Sequence, residues 1–432
     1  MDSDKIYSII KNSGLDAQFN VQVESEDLSM LKITKGDLES VDTFISEVAS
    51  ISCIYKNRLS IINASITSYD EISKFIVDAY KLAKNGSVDC QSRVAWKKHR
   101  EIKNPFSSRI KKVDVPEIET KLYSAIKKVS SLGNVYSINA WLMYSSSIIH
   151  AANSYGIRGD WKNSYSSISS HVVAKDGAEQ ASSSKSYDAM DPYSLDIDNA
   201  FTTAATEAKN LLYAKRAPTF KGDLLLSPEA SMSIIQYLAS AMSGPEVYKK
   251  LSFLSGKLGK VIASDLIDLR EIINVKNSPF NISFDNELMP TSTKTLVKDG
   301  VLKTYLHNIY SAEKMSQEPT GNAFHNGIGT TNLVLKPGKN SEEELLSRIK
   351  RGVYLLDTGD SPNMSTGDLS AMVSEGYYVE NGQKKYPLKE TVVGINMLNM
   401  MKNVVGVGSK SVGLGGIFSP AMLVSGVQIS GK

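Results

Sequence analysis

Cysteine is nearly absent from this chain, which has two, Cys53 and Cys90, among 432 residues. Two cysteines are too few for a disulfide framework, which excludes the small secreted scaffolds that several bridges hold together. Cys53 lies in the apolar run VASISCIYK, which predicts a buried strand and a core thiol. Cys90 lies in a polar stretch beside Asp89, where nothing nearby would lower its pKa. Neither cysteine is therefore expected to act as a nucleophile.

An excess of charge is also missing, because 49 Lys and Arg residues against 46 Asp and Glu residues give a formal net charge of +3. There is no basic arm or basic patch with interleaved aromatics, so nucleic acid is not an expected partner. No apolar run reaches about 18 residues, so no membrane-spanning helix is predicted. The N-terminus, MDSDKIYSII, lacks the basic-plus-apolar layout of a signal peptide. These absences predict a soluble, cytoplasmic protein without a membrane partner.

Histidine is scarce as well, with five residues in the chain. No two histidines have the i, i+4 spacing and the Glu partner of a helical zinc site. His150, His171 and His307 fall in strand-like or apolar segments, where a structural role is expected. His325 lies in a loop-like segment and is a candidate ligand contact. Spacing alone supports no Ser-His-Asp arrangement.

The stretch YLLDTGDSP contains the Asp-Thr-Gly triplet of aspartic proteases, beginning at Asp357. That chemistry needs two carboxylates that share one proton. The nearest similar triplet, Ser365-Thr366-Gly367, has no Asp at its head and is too close in sequence to belong to a second lobe. Asp and Gly are typical turn residues that tolerate left-handed φ. The favoured interpretation of this stretch is therefore a turn.

The apolar patterns predict an α+β fold in three sections. Residues 1–86 predict a helix and antiparallel-sheet domain, with separate strand segments FNVQV, LSMLKIT, SEVASISCIY and LSIINASI. A capping box, Ser68-x-x-Glu71, opens its second long helix. Residues 87–215 predict a linker followed by a Ser-rich antiparallel meander. Residues 216–432 predict a β-rich domain that begins with the strand KGDLLLS and a helix capped by Ser227.

The third section resembles the C-terminal region of the TldD/PmbA family, once described as modulators of DNA gyrase. The resembling stretches follow the family's order: SGPEVYKKLSFLSGKLGKVIASD, FDNELMPTSTKTLVKDGVLKTYLHNIYSAEKM, PTGNAFHNGIGTTNLVL and STGDLSAMVSEGYYVENGQKKYPLKETVVGINMLNMMKNVVGVG. TldD-type subunits of this family carry a His-Glu-x-x-x-His zinc motif on a helix after a strand, and a Cys ligand in the C-terminal tail. The PmbA type, also called TldE, lacks the motif and pairs with TldD in a peptide-cleaving complex.

The positions that match the zinc motif indicate the PmbA/TldE type. After LLLS, Pro228 stands in place of the first His and Ser233 in place of the second, and only Glu229 remains. Gly415 and Gly416 stand where the tail Cys is expected. The resemblance thus implies no catalytic residue and no metal ligand in this chain. Zinc is expected in the partner subunit.

The resemblance implies a non-catalytic subunit, inactive alone, that joins a TldD-type zinc-bearing chain and lines a shared cavity for unfolded peptide. The candidate cavity residues are Glu229, Ser233, His325, Thr331, Asn332 and Gly415. The strand TTNLVL is expected to offer an edge to which an extended peptide could add. The main alternative is a homodimeric peptide-binding protein without a proteolytic role. A metal-independent hydrolase is the third hypothesis.

Overall fold

A computed structural model describes residues 2–86, 88, 91–97, 106–324 and 327–431. Within these ranges, no helix is long and apolar enough to cross a membrane. The elements of the first two sections are, in chain order, α1 (Ser3–Asn12), β1 (Gln18–Thr34), β2 (Asp37–Tyr55), β3 (Arg58–Ser65), α2 (Tyr69–Lys84), α3 (Val115–Ser130), β4 (Val135–Asn153), β5 (Arg158–Asp176), β6 (Glu179–Ala189) and α4 (Ile197–Asn210). Short 3₁₀ helices cover Ser108–Lys112 and Pro192–Ser194.

These strands form one antiparallel sheet, the first sheet, in the order β3-β2-β1-β4-β5-β6. β1 pairs with β2 on one side and with β4 on the other. Strands from both sides of residue 86 therefore lie in one sheet. The division of the chain at that residue stays a prediction, and it would separate hydrogen-bonded neighbours.

One face of the first sheet is covered by helices, because side chains alternate between the two faces of a strand. Phe19, Val21 and Val23 of β1 are buried against α1 and α2. Leu31 and Ile33, further along the same strand and on the same face, are buried against α3 and α4. The four helices thus divide one long face, and the opposite face is left for the third section.

The predicted break between FNVQV and LSMLKIT is wrong, because β1 runs through both as a single strand of 17 residues. The segment between them, ESED, is polar and suggested a turn. In the structure it is paired on both sides; Ser25, for example, lies opposite Glu47 and Ile148. Two complete ladders satisfy the backbone of this segment and outweigh its weak strand propensity. β4 is similarly long, a single strand of 19 residues.

The third section contains a second sheet with β20 at its centre. Its elements are β7 (Phe220–Leu226), α5 (Pro228–Ser240), α6 (Gly244–Tyr248), β8 (Leu269–Ile272), β9 (Lys294–Lys298), β10 (Val301–Leu302), α7 (Ile309–Lys314), β11 (Ala323–Phe324), β12 (Gly327–Ile328), β13 (Asn332–Leu335), α8 (Glu342–Ser347), β14 (Arg351–Asp357), β15 (Asp368–Met372), β16 (Glu375–Glu380), β17 (Gln383–Pro387), β18 (Val392–Asn396), α9 (Met397–Lys402), β19 (Val404–Leu414) and β20 (Ile417–Ser430). β20 pairs with β7, β13, β18 and β19.

The α+β class predicted from the sequence is confirmed, and local signals in the third section agree with the structure. The hairpin of β9 and β10 turns at Asp299 and Gly300, whose φ angles are 48° and 72°. The hairpin of β16 and β17 turns at Asn381 and Gly382, with φ of 51° and 73°. Paired left-handed residues of this kind match the twist of a two-residue hairpin.

Candidate functional site

The start of α5 is fixed by the residue that precedes it. Ser227, 1% exposed, accepts a hydrogen bond from the Ala230 N–H at 3.1 Å and donates one to the Leu356 carbonyl at 3.3 Å. Pro228 occupies the first turn, where its missing N–H has no helical partner to lose. The cap predicted from the sequence is confirmed, and it places Glu229 in the first turn of α5.

The Glu229 carboxylate forms an ion pair with Lys185 of β6. The Lys185 Nζ lies 2.8 Å from Glu229 Oε1, and the two side chains are 18% and 37% exposed. Burial works to raise the pKa of Glu229, but the Lys185 ammonium outweighs it and holds that pKa below its usual range. Burial works to lower the pKa of Lys185, yet Glu229 brings it above its ordinary value. Each partner therefore stabilises the charged form of the other.

Two more carboxylates lie beside this ion pair, at the ends of β14 and β16. Asp357 lies opposite Glu375 in the ladder of these strands, and Ser183 Oγ donates to Glu375 Oε2 at 2.7 Å. Burial raises the pKa of Glu375 to about 6, and the charge of Asp357 adds to the effect. Burial also raises the pKa of Asp357, while Lys185 opposes the rise. We call Lys185, Glu229, Asp357, Glu375 and Ser183 the Lys185 cluster.

The residues at the zinc-motif positions do not fit a zinc ion. Pro228 has no ligand atom, and a serine hydroxyl such as that of Ser233 is a poor zinc ligand beside imidazole. The remaining residue of the motif, Glu229, already binds an ammonium group. Across the ranges that the structure describes, no three His, Cys, Asp or Glu side chains are grouped to hold a metal ion.

Asp357 is the last residue of β14, and the loop that follows it lacks the left-handed backbone of the predicted turn. Thr358 Oγ1 accepts the Asp360 N–H at 3.3 Å. Neither Asp357 nor Gly359 has left-handed φ. A local hydrogen bond to a threonine side chain, and not left-handed φ at Asp or Gly, therefore shapes this loop.

Gly415 and Gly416 form the turn between β19 and β20, with φ of 60° and 78°. The Gly415 N–H donates to Asp188 Oδ2 at 2.6 Å. A Cβ at Gly416 would lie 2.8 Å from the Thr331 carbonyl oxygen, so only glycine fits there without displacement. The position of the expected tail Cys is thus a tight turn of the second sheet, and a hydrogen bond to Asp188 holds it against the first sheet.

Thr331 and Asn332 are buried, at 2% and 0% exposure. The N–H and hydroxyl of Thr331 donate to Glu271 Oε1 at 2.8 and 3.0 Å. Asn332 Nδ2 donates to the Ile272 carbonyl at 2.8 Å. Both side chains are hydrogen-bonded to other groups of the protein interior, so little of their surface is left to line a cavity. Their role as cavity residues stays a prediction.

The expected free edge at TTNLVL is wrong. β13 pairs with β8 on one side and with β20 on the other, so both of its edges are occupied. The short length of this strand and the glycines around it suggested an edge. Its two neighbours lie roughly 60 residues before it and roughly 80 residues after it in the sequence, and no local pattern predicts either of them. A peptide cannot add to β13 without displacing one of them.

Five of the six predicted cavity residues are described, and they lie on α5, at the start of β13 and in the turn between β19 and β20. Ser233 is half-buried on α5, one turn after Glu229, and His325 lies outside the described residues. A cavity of about 730 Å³ lies near the other end of α5, where Ser240 and Ala241 contribute to its wall. None of the five described candidates lines that cavity.

Sequence reasoning missed Lys185, which lies 44 residues before its partner. A weak signal was available in SSSKSYDAM, where Lys185 shares a strand face with Ser183 and Tyr187 in a segment otherwise rich in serine. A single lysine on the inward face of a strand needs an acidic partner. The sequence offered no means to choose Glu229 among the 46 acidic residues.

Comparison with known proteins identifies the family of this chain. Residues 219–431 match the family model described as PmbA/TldA metallopeptidase C-terminal domain, and residues 108–215 match that of the central domain. A metalloprotease PmbA homolog of Buchnera aphidicola is 27% identical over 95% of this chain and 99% of that protein. Metalloprotease PmbA of Escherichia coli O157:H7 is 26% identical over 63% of this chain and 61% of that protein.

Among solved structures, TldE of Thermococcus kodakarensis has the same fold. It superposes on this chain with a TM-score of 0.90 and 20% identity, covering 99% of both chains. The two family models, the near full-length alignment with a PmbA homolog and this superposition agree with one another. The chain belongs to the PmbA/TldD family.

Proposed function

We propose that this chain is a non-catalytic, PmbA/TldE-type subunit of a two-chain metallopeptidase that cleaves unfolded peptides. In this proposal a TldD-type partner holds the zinc ion. The observation that carries the proposal is the Lys185 ammonium, 2.8 Å from the carboxylate of Glu229, the one residue that remains of the zinc motif. Pro228 and Ser233 occupy the two positions where the motif has its ligands.

The chemistry of zinc peptidases explains why this pairing matters. A glutamate acts as general base on a water whose pKa the metal has lowered to about 7. Glu229 has no motif ligands beside it that would bring such a water, and the lowered pKa makes its carboxylate a weaker base. Cleavage must therefore come from another chain. The contribution of this subunit would be to complete the substrate cavity and to hold the peptide in place.

The test compares the purified chain, alone and mixed with an HExxxH-bearing family member from the same genome, on an unstructured peptide. We expect no cleavage by the chain alone, cleavage by the mixture and loss of that cleavage in chelator. Metal analysis of the isolated chain should give far less than one equivalent of zinc. Glu229→Gln should leave most of the activity of the mixture, whereas the same change in the partner's motif should abolish it.

Two results would contradict the proposal in different ways. Robust, chelator-resistant cleavage by the chain alone would favour the metal-independent hydrolase. A stable homodimer that binds peptide, forms no complex with the partner and adds nothing to its activity would favour the homodimeric binding protein. Size-exclusion chromatography with light scattering, run on the chain, the partner and the mixture, distinguishes these outcomes.

A further inference from the structure

The cavity of about 730 Å³ lies between the first sheet and the third section, and we call it the inter-sheet cavity. One wall is the face of the first sheet that the helices leave open, with Asn20 of β1, Ser52 of β2 and Leu59 and Ile61 of β3. The opposite wall comes from the third section and includes Glu287. Its volume is in the range of cavities that bind small molecules or a few residues of peptide.

Asn20, on the wall of this cavity, carries a hydrogen-bond acceptor without a described donor. The residue is 6% exposed, and its Nδ2 donates to the Asn286 carbonyl at 2.8 Å. That bond fixes the orientation of the amide, because a carbonyl can accept only from the nitrogen side. The Oδ1 atom is buried and has no hydrogen-bond partner among the described residues. A buried acceptor of this kind is unfavourable until a donor reaches it.

Glu287 adds a carboxyl group to the opposite wall. The residue is half-buried, and its Oε2 accepts the Ile309 N–H at 2.7 Å. Its neighbour Asp285 is 1% exposed and accepts three backbone N–H groups, those of Glu287 at 3.0 Å and of Met289 and Ala323 at 2.9 Å each. Asp285 is thus well supplied with donors. Glu287 receives one backbone donor and a contact from the Gln91 side chain.

The described lysines near Glu287 are paired with other carboxyl groups. Burial, together with the neighbouring charge of Asp285, raises the pKa of Glu287 to about 8, so its carboxyl is mainly protonated at neutral pH while no cation of the described residues lies beside it. Glu246 and Lys249 also line the cavity, but they lie 3.8 Å apart and pair with each other. Lys294, on the side of Asp285, is bound 2.7 Å from Glu271. A cation that entered the cavity would favour the ionised form of the Glu287 carboxyl, which the described charges around it do not stabilise.

We propose that the inter-sheet cavity binds a positively charged nitrogen group, either a primary ammonium or a guanidinium. Asn20 Oδ1 lacks a donor among the described residues, and the Glu287 carboxyl in its ionised form accepts N–H groups, which such a cation supplies from one atom or one plane. Leu59, Ile61 and Met364 supply apolar wall for the methylene stem of a basic side chain. The group could come from a Lys or Arg residue of an unfolded peptide or from a free amine. The peptide source rests on the proposed function.

The proposal is tested by equilibrium binding to the intact isolated chain, in chelator so that no cleavage intervenes. The probes are blocked hexapeptides with a central Lys, its neutral isostere norleucine, a central Arg or its neutral isostere citrulline. We expect each basic peptide to bind about tenfold tighter than its neutral counterpart. Putrescine is the free-amine probe. If it competes with the Lys peptide, the site accepts both sources of the cation; if it does not compete, the site accepts the cation only as part of a peptide.

Variants test whether Glu287 and Asn20 bind the basic side chain. Glu287→Gln keeps an acceptor for the Ile309 N–H and removes the charge, so it should abolish the preference for basic peptides. Asn20→Ser should weaken the binding of basic peptides without affecting the fold. It is the alternative test if Glu287→Gln fails to fold. The control is Glu343→Gln, an exposed residue on α8, which should bind as the unchanged chain does.

Equal affinities for Lys and norleucine peptides, or a preference that persists in Glu287→Gln, would overturn the proposal. Binding is measured on the isolated chain, so it does not depend on whether a zinc-bearing partner exists. Failure of cleavage by the mixture, with the preference for basic peptides retained, would refute the proposed function alone. Cleavage by the mixture, with no such preference, would refute this inference alone.

Discussion

Lys185 favours the ionised form of three carboxyl groups around the first turn of α5. It pairs with Glu229 at 2.8 Å, and it opposes the rise in the pKa of Asp357 and of Glu375. Three carboxyl groups thus depend on one ammonium within the Lys185 cluster. A change at Lys185 leaves negative charges partly desolvated and without compensation, which is more costly than the loss of a surface ion pair.

Lys185→Met should lower the free energy of unfolding by about 1–2 kcal/mol, between the effects typical of exposed and fully buried pairs because both side chains are partly exposed. Urea unfolding of the two proteins measures the difference. The double change Lys185→Met, Glu229→Leu should recover part of it, since no unpaired Glu229 remains. The control Lys121→Met breaks an exposed i, i+4 pair with Glu117 and should cost at most about 0.5 kcal/mol. Equal effects of the two single changes would contradict the role of burial.

Glu375 gives the protein a pH dependence of known sign. Its folded pKa, about 6, lies above the ordinary glutamate pKa of 4.5, so the folded state holds the proton more tightly than the unfolded state does. Its contribution to stability is therefore fully present below about pH 4.5 and is lost as the pH rises through 6. Glu375→Gln keeps an acceptor for Ser183 and removes the charge. At pH 7.5 it should raise the free energy of unfolding by about 1–2 kcal/mol.

Denaturant unfolding of Glu375→Gln and the unchanged protein across pH 4 to 8 measures this effect. The two curves should converge near pH 4, where the carboxyl is protonated in both states, and separate as the pH rises. A variant that is less stable than the unchanged protein at pH 7.5, or a constant difference at all pH values, would show that the charge of Glu375 is not unfavourable in the folded state.

At the scale of elements, the junction of β7 and α5 shows how a local signal positions a site. The strand ends at Leu226, and Ser227 caps the helix that begins at Pro228. Ser227 also binds the Leu356 carbonyl on the neighbouring strand β14, whose last residue is Asp357. One serine side chain thus connects the start of α5 with the end of β14, from which Glu229 and Asp357 enter the Lys185 cluster.

Ser227→Ala should cost about 1–2 kcal/mol of unfolding free energy, because it removes the cap of a buried helix end. Ser227→Thr keeps the hydroxyl and is the matched control, with a smaller loss expected. Thermal and urea unfolding compare the three proteins. If the alanine and threonine variants lose the same stability, the effect reflects volume at a buried position and the capping interaction is not responsible.

At the scale of the whole molecule, the first sheet joins parts of the chain that sequence patterns separate. β1 belongs to the first predicted section and β4 to the second, yet they are hydrogen-bonded neighbours over residues 20–33 and 140–153. The open face of this sheet then forms one wall of the inter-sheet cavity, and the third section forms the other. The cavity exists only when all three sections are folded together.

A fragment of residues 1–86 should therefore not fold as a monomer. Without β4, the long edge of β1 would be exposed, and such an edge favours aggregation. A fragment of residues 1–215 retains the whole first sheet and both pairs of helices and should unfold cooperatively. Circular dichroism with size-exclusion chromatography compares the two fragments. A monomeric 1–86 fragment with a cooperative thermal transition would show that the first predicted section is an independent domain.

Some features of this protein were determined by the sequence alone, because they depend on residues only a few positions apart. The capping box at Ser68 and Glu71, the cap at Ser227 and the two Asn-Gly and Asp-Gly hairpin turns all form by local hydrogen bonds. The order of the resembling stretches and the residues at the zinc-motif positions likewise required no coordinates. They were enough to identify the family and to predict the α+β class.

Other features were decided only by the tertiary structure, because their partners are far apart in the sequence. Lys185 and Glu229 are 44 residues apart, and Asn20 and Asn286 are 266 apart. β13 is an inner strand because β8 and β20 come to lie on both sides of it, and no pattern within TTNLVL encodes either neighbour. Side-chain periodicity determines which face of a strand is buried, but not which element covers that face. For that reason the partner of Glu229 and the walls of the inter-sheet cavity could not be predicted.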